Sequence, residues 1–147
     1  MRGDWVARLE DVLLEQAAAS PQPGDPGLVL VAHSLGCLLV AAWAAHSRNT
    51  ALVKAALLVA PGDPERVELR AMLASWAPVT QQTLPFKSRL LGSHDDPYCS
   101  LARARFFAQT WGAEFIDYGH KGHINADSGL GSWPDGQAMV SALGHDN

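Results

Sequence analysis

Apolar residues recur at helical spacing in the first segment. Trp5, Leu9, Val12 and Leu13 alternate with Arg8, Glu10 and Asp11, which predicts an amphipathic helix over residues 4–19. The breaker run Ser20-Pro21-Gln22-Pro23-Gly24-Asp25-Pro26-Gly27 ends it. Leu28-Val29-Leu30-Val31-Ala32 then reads as a short strand buried on both faces, as in a parallel sheet. Residues 35–46 are rich in alanine with little polar surface and predict a buried helix. A second buried strand fits residues 52–60, closed by Pro61-Gly62-Asp63-Pro64.

Residues 66–76 predict a short amphipathic helix, stopped by Ala77-Pro78, at the position of a cap or lid element. A third strand is expected over residues 84–92, although Lys87, Ser88 and Arg89 make its first half less apolar. Ser100 can cap a helix reaching Trp111, with Gly112 as its stop. A fourth strand over residues 114–118, a loop rich in Gly, His and Asn, and a last helix over residues 134–143 complete the chain. Helices and strands alternate throughout. That order predicts an α/β protein with a mostly parallel sheet between two helical layers.

Composition narrows the function. A chain of 147 residues has room for one domain, and 48% apolar with 18% charged residues suits a packed core. The net charge of -4 is spread without a basic stripe, which argues against nucleic acid as a partner. The longest apolar runs fall well short of the roughly 20 residues of a membrane span. The opening Met1-Arg2-Gly3-Asp4 has no apolar signal region, so no membrane and a cytoplasmic location are expected. Cys37 and Cys99 form neither a disulfide framework nor a zinc pattern and are expected to be reduced.

The candidate chemistry lies at three points. Ser34, in Ala32-His33-Ser34-Leu35-Gly36, stands between a strand and a helix, the setting of a nucleophile elbow in an α/β-hydrolase fold. The small Ala32 and Gly36 are expected to relieve crowding there, and the Leu35 N–H, at a helix start, faces a developing oxyanion. Serine at this position could instead be a plain helix cap. A serine nucleophile needs a histidine base, and the base needs an orienting acid. The expected chain order of serine, acid, histidine is met by Asp95 or Asp96 after the third strand, then His120 or His123 after the fourth. Asp96 is favoured because Pro97 holds it extended. His123 is favoured because it sits in the tight Gly122-His123-Ile124-Asn125 loop.

Three stretches carry a resemblance: Val31 to Cys37, Gly92-Ser93-His94-Asp95-Asp96-Pro97-Tyr98-Cys99, and the run from Gly122 to Gly131. With them the chain resembles the small serine hydrolases of the retinoblastoma-binding protein 9 family, including its bacterial YdeN-like members. The resemblance implies a compact α/β-hydrolase fold and a triad of Ser34, Asp96 and His123. It also implies hydrolysis of small carboxylic esters or amides without metal or organic cofactor.

Members of that family begin with a strand, a Pro-Gly loop and further elements before the position of Trp5. The chain is therefore expected to be a single domain lacking its N-terminal strands, a start codon assigned too late being the first explanation. Leu35 would then be the one oxyanion donor retained. That motivates a competing expectation, a catalytically impaired α/β-hydrolase module that binds a partner or small molecule.

Trp76, Trp111 and Trp133 could line an acyl pocket but are expected to pack in the core or at its edge. Cys37 is expected in the core, and Cys99 near the acid loop. Asn125 and Asp127 are candidates to brace the histidine loop. The widely spaced His33, His94, Cys37 and Cys99 make no metal site.

Overall fold

Continuous β-branched and leucine-rich runs separated by alanine-rich helices fold into a four-stranded parallel sheet. In a computed structural model of the chain, residues 1–19 and 27–145 are described. The elements are α1 (Arg2–Ala18), β1 (Leu28–His33), α2 (Leu35–His46), β2 (Val53–Val59), β3 (Lys87–Gly92), α3 (Leu101–Trp111), β4 (Glu114–Asp117) and α4 (Pro134–His145). The strands lie in the order β1-β2-β3-β4, every neighbouring pair parallel. The breaker run after α1 falls largely outside the described residues.

Side-chain alternation in β2 divides the core. Ala56 and Leu58 point to the face covered by α2 and α3, where they meet Cys37, Leu38, Leu90, Phe107 and Trp111. Ala55, Leu57 and Val59 point the other way, to Leu91, Ile124 and Leu143 of α4. Period-2 alternation in a fully buried strand thus yields three layers. Helix α1 lies over α2, with Leu13 against Trp43 and Val53. Glu10 receives hydrogen bonds from the Trp43 indole, the Ser47 hydroxyl and the Asn49 amide there.

Helix α3 carries the expected caps. The Ser100 hydroxyl accepts from the Arg103 N–H, and Gly112 takes the left-handed conformation at φ 69°. Gly92 is needed for close approach at the end of β3, since a Cβ there would lie 2.9 Å from Ala104 Cβ and 3.0 Å from Phe115 Cε2.

Three expectations need correction. The strand at Leu28 is not buried on both faces: among the described residues β1 pairs only with β2, its residues are mostly half-buried, and Val31 is 57% exposed. A continuous apolar run does not distinguish an edge from a centre. Residues 66–76 form successive turns and a short 3-10 turn, Ala74–Trp76, rather than an α-helix. Only Arg70 and Leu73 donate four residues back; Leu69 and Trp76 donate three back. Leu73 and Trp76 pack on the core but Val67 and Met72 are exposed, so only part of the segment's apolar surface is buried to support a helix. Finally, β3 starts at Lys87, three residues later than expected.

Candidate active site

Strand β1 ends at His33, opposite Val59, and the chain turns at once into α2. Ser34 is the whole of that turn. It holds φ 57° and ψ -119°, a conformation that costs a non-glycine residue about 1–3 kcal/mol. Its N–H donates to the Val59 carbonyl at 3.0 Å, and its carbonyl accepts from Cys37 N–H at 3.1 Å, which locks the turn from both sides. Ala60 and Ile124, each after a strand or in a loop at the same sheet end, also have positive φ.

Ser34 occupies the N-cap position of α2, yet its hydroxyl caps nothing. It lies instead 2.9 Å from His123 Nε2. The other ring nitrogen, Nδ1, lies 3.0 Å from both carboxylate oxygens of Asp96. A carboxylate only accepts, so Nδ1 carries the proton and Nε2 turns its lone pair to the serine hydroxyl. The Asp96 side chain is 2% exposed and that of His123 is 9% exposed, so the pair is screened little by water. The imidazole contacts the rings of His33 and Tyr98, each with its centroid 4.6 Å away. His33 also donates from Nε2 to the His123 carbonyl at 2.8 Å.

The two acidic candidates have different partners. Asp96 accepts from the Tyr98 N–H at 2.9 Å, an Asx turn through Pro97 that aims its carboxylate at His123. Asp95 points away to the backbone of the histidine loop. Its Oδ1 accepts from Gly122 N–H at 2.8 Å and from the Ser93 hydroxyl at 2.9 Å. These bonds, the Gly122 one foremost, hold the Asp95 carboxyl below the usual carboxylate range. Ser93 Oγ in turn accepts from Lys121 N–H at 2.9 Å. The acid loop and the histidine loop are thereby stapled together.

Of the two histidines, His120 stacks on His94 instead, at 4.9 Å, and His94 donates to Asp117 at 2.7 Å. The loop brace comes from Ser128 and Asn125. The Ser128 hydroxyl donates to the Lys121 carbonyl and accepts from the Asn125 N–H, while the Asn125 side chain accepts from the Asp127 N–H. Asp127 takes part through its backbone.

Ala32 and Gly36 face each other across the turn, but a Cβ on Gly36 would sit 3.5 Å from Ala32 Cβ, an ordinary contact. Gly62 lies tighter to the chemistry, with a Cβ there 3.4 Å from Ser34 Oγ. Leu35 opens α2 beside the hydroxyl, where the first N–H groups of a helix lack intrahelical acceptors. A cleft of about 280 Å³ opens over Ser34, with Leu35, Leu69, Met72 and Leu73 among its walls.

The three tryptophans pack elsewhere. Trp76 stacks edge-on against Trp5, Trp111 lies in the core against Phe107, and Trp133 donates to Tyr118. Burial raises the Cys37 thiol far above its ordinary range, and burial with the nearby Asp63 and Asp96 charges pushes Cys99 up to about 12. Neither thiol is held as a thiolate. Among the described residues no three His, Cys, Asp or Glu side chains group to hold a metal ion. No described helix is long and apolar enough to cross a membrane.

Sequence reasoning did not single out Tyr98, His33 or Ser93; residues 66–76, expected at the position of a cap or lid, supply Leu69, Met72 and Leu73 to the cleft wall. For Tyr98 a signal existed, because Asp-Pro-x is the signature of the turn that carries it. For His33, and for the bond that ties Ser93 to Lys121, the partners are far apart in the chain.

A family model described as serine hydrolase matches residues 1–142. A comparison with curated proteins returns no match. Among solved structures, the chain is similar to a YdeN-like hydrolase from Pectobacterium atrosepticum at 27% identity and a TM-score of 0.77, covering 98% of this chain and 69% of that one. The ydeN gene product of B. subtilis matches at 22% identity and TM-score 0.62, over 78% of this chain and 64% of its own. A Bacillus cereus carboxylesterase shares the fold at 17% identity and TM-score 0.58, over 94% of this chain and 59% of its own. The chain thus spans about two thirds of the length of these proteins.

Proposed function

Because the chain belongs to the serine hydrolase family, with the α/β-hydrolase fold of its YdeN-like neighbours, we propose that Ser34 is its nucleophile, His123 its general base and Asp96 the orienting acid. The reaction is hydrolysis of a small carboxylic ester or amide through an acyl-enzyme. The observation that carries this reading is the unbroken line from Ser34 Oγ to His123 Nε2 at 2.9 Å and from Nδ1 to Asp96 at 3.0 Å.

The steps follow from the proton positions. His123 Nε2 takes the hydroxyl proton as Ser34 Oγ bonds to the carbonyl carbon, and the carbonyl electron pair moves onto oxygen. That oxyanion meets the Leu35 N–H at the positive end of α2. One such donor is worth about 2.7–4 kcal/mol of transition-state stabilisation. Collapse breaks the bond to the leaving group, which departs with the proton from Nε2. Water repeats the sequence on the acyl-enzyme and frees the acid. Asp96 accepts from Nδ1–H throughout and stabilises the imidazolium without taking the proton. The same reading takes the chain as one α/β-hydrolase domain and the turn at Ser34 as a nucleophile elbow.

Hydrolysis of p-nitrophenyl butyrate tests it. Turnover that falls at least about a thousandfold in Ser34→Ala and in His123→Ala, with unchanged circular dichroism, is the expected result. Undiminished turnover in either variant, or none in the folded parent chain, removes the reading and leaves a binding module on this fold.

A further inference from the structure

The wall of the cleft beside Ser34 belongs to the segment of turns after Pro64, and its side chains divide by chemistry. Its charges are spent at the base. Arg103 holds Asp63 at 2.9 Å and Glu65 at 3.3 Å, and Arg66 donates to the Pro97 carbonyl at 2.8 Å while pairing with Glu68. The residues left facing Ser34 are Leu69, Met72 and Leu73. Met72 is 79% exposed, although a methionine gains nothing from water. With the half-buried Leu69 and Leu73 it gives the cleft an apolar wall, the kind of surface a ligand covers, and the flexible thioether adapts to varied shapes.

Across the His123 ring the chemistry reverses. A second groove, sharing Tyr98, His123 and Asn125 with the first, is lined by Asp95, His120, Lys121 and Asp127. Apart from His123, no ionisable side chain but the Tyr98 phenol lines the first cleft. A charged tail placed there would lose its hydration with no opposite charge to replace it.

From this asymmetry we infer that the cleft at Leu69, Met72 and Leu73 binds the acyl half of the substrate, and that this half is apolar and uncharged. The inference rests on the reading of Ser34 as nucleophile. The acyl group stays on Ser34 Oγ between the two half-reactions, so it is the part that the wall next to Ser34 must hold. A volume of about 280 Å³ equals roughly nine water-sized groups at about 30 Å³ each, which suits an aliphatic acyl chain of about four to eight carbons.

The test is kcat/KM for p-nitrophenyl acetate, butyrate, hexanoate and hemisuccinate, with fluorophosphonate labelling of the same preparation. Each methylene that is fully buried is worth about three- to fourfold, so hexanoate should exceed acetate by at least about tenfold. Hemisuccinate should fall at least about tenfold below butyrate. In Met72→Glu, a surface change that keeps the fold, the hexanoate to acetate ratio should drop at least about fivefold. A labelled protein with a flat chain-length series, or with hemisuccinate preferred, overturns the acyl assignment and leaves Ser34 as nucleophile. A folded protein that neither labels nor turns over any ester overturns both.

Discussion

Replacing Arg103 by Met should unseat the segment that lies against Ser34, because it leaves a buried carboxylate without its cation. Asp63 has a side chain 3% exposed and accepts from Arg103 Nε at 2.9 Å and Nη2 at 3.3 Å. After the change only the Glu65 N–H, at 3.0 Å, remains on its side chain. Breaking a fully buried pair costs about 3–5 kcal/mol. Arg103 is 32% exposed, so water screens part of this, and about 2–3 kcal/mol is expected. Methionine keeps the stem against Phe106 and Phe107, beneath the guanidinium at 4.9 and 4.8 Å, so the loss isolates the charge.

Urea unfolding followed by tryptophan fluorescence reads the loss, and in a thermal melt it corresponds to about 4–12 °C. A loss under about 0.5 kcal/mol refutes the reasoning.

Three further outcomes are expected. Asp95→Ala should lower kcat about 10- to 100-fold with KM little changed, by loosening the loop that carries His123, whereas Asp95→Asn keeps an acceptor for Gly122 and should recover most of it; equal losses in steady-state kinetics would contradict the staple. The Glu10 carboxyl is held below its usual range by Asn49 first, then by Trp43 and Ser47. Its stabilisation is thus present above the unfolded carboxylate range near about 4.3 and lost as pH falls through the lower folded value. Melts of Glu10→Ala should lie about 2–4 °C below the parent at pH 7 and converge with it below about pH 4. Gly92→Ala should cost about 1–3 kcal/mol by clashing with Ala104 and Phe115, while Gly36→Ala, which meets only an ordinary contact, should be neutral or stabilising by up to about 1 kcal/mol. Thermal melts of the two variants decide it.

Local chemistry explains which features were legible from sequence. The alanine-rich run opening at Leu35, and the Ser100 and Gly112 ends of α3, announce themselves within one element, and both helices run as expected. The chain order of Ser34, Asp96 and His123 was readable because strand-end loops of an α/β sheet gather at one edge. The three side chains do meet in hydrogen-bond reach.

Pairing context was not legible. Nothing in Leu28-Val29-Leu30-Val31 reports that only one neighbour adjoins the strand among the described residues. The charges in residues 65–70 mimic an amphipathic helix, although Arg66 is spent on the Pro97 carbonyl, Arg70 on the Glu65 carbonyl and the Glu65 carboxylate on Arg103. The rings in contact with His123, and the leucines and methionine over Ser34, come from segments that no short-range pattern connects.

The most direct test of the central claim is to locate a fluorophosphonate adduct by peptide mass spectrometry. The account predicts one adduct, on Ser34, absent from Ser34→Ala and strongly reduced in His123→Ala and Asp96→Ala. An adduct on any other residue, or equal labelling of Ser34 with His123 replaced, would contradict it.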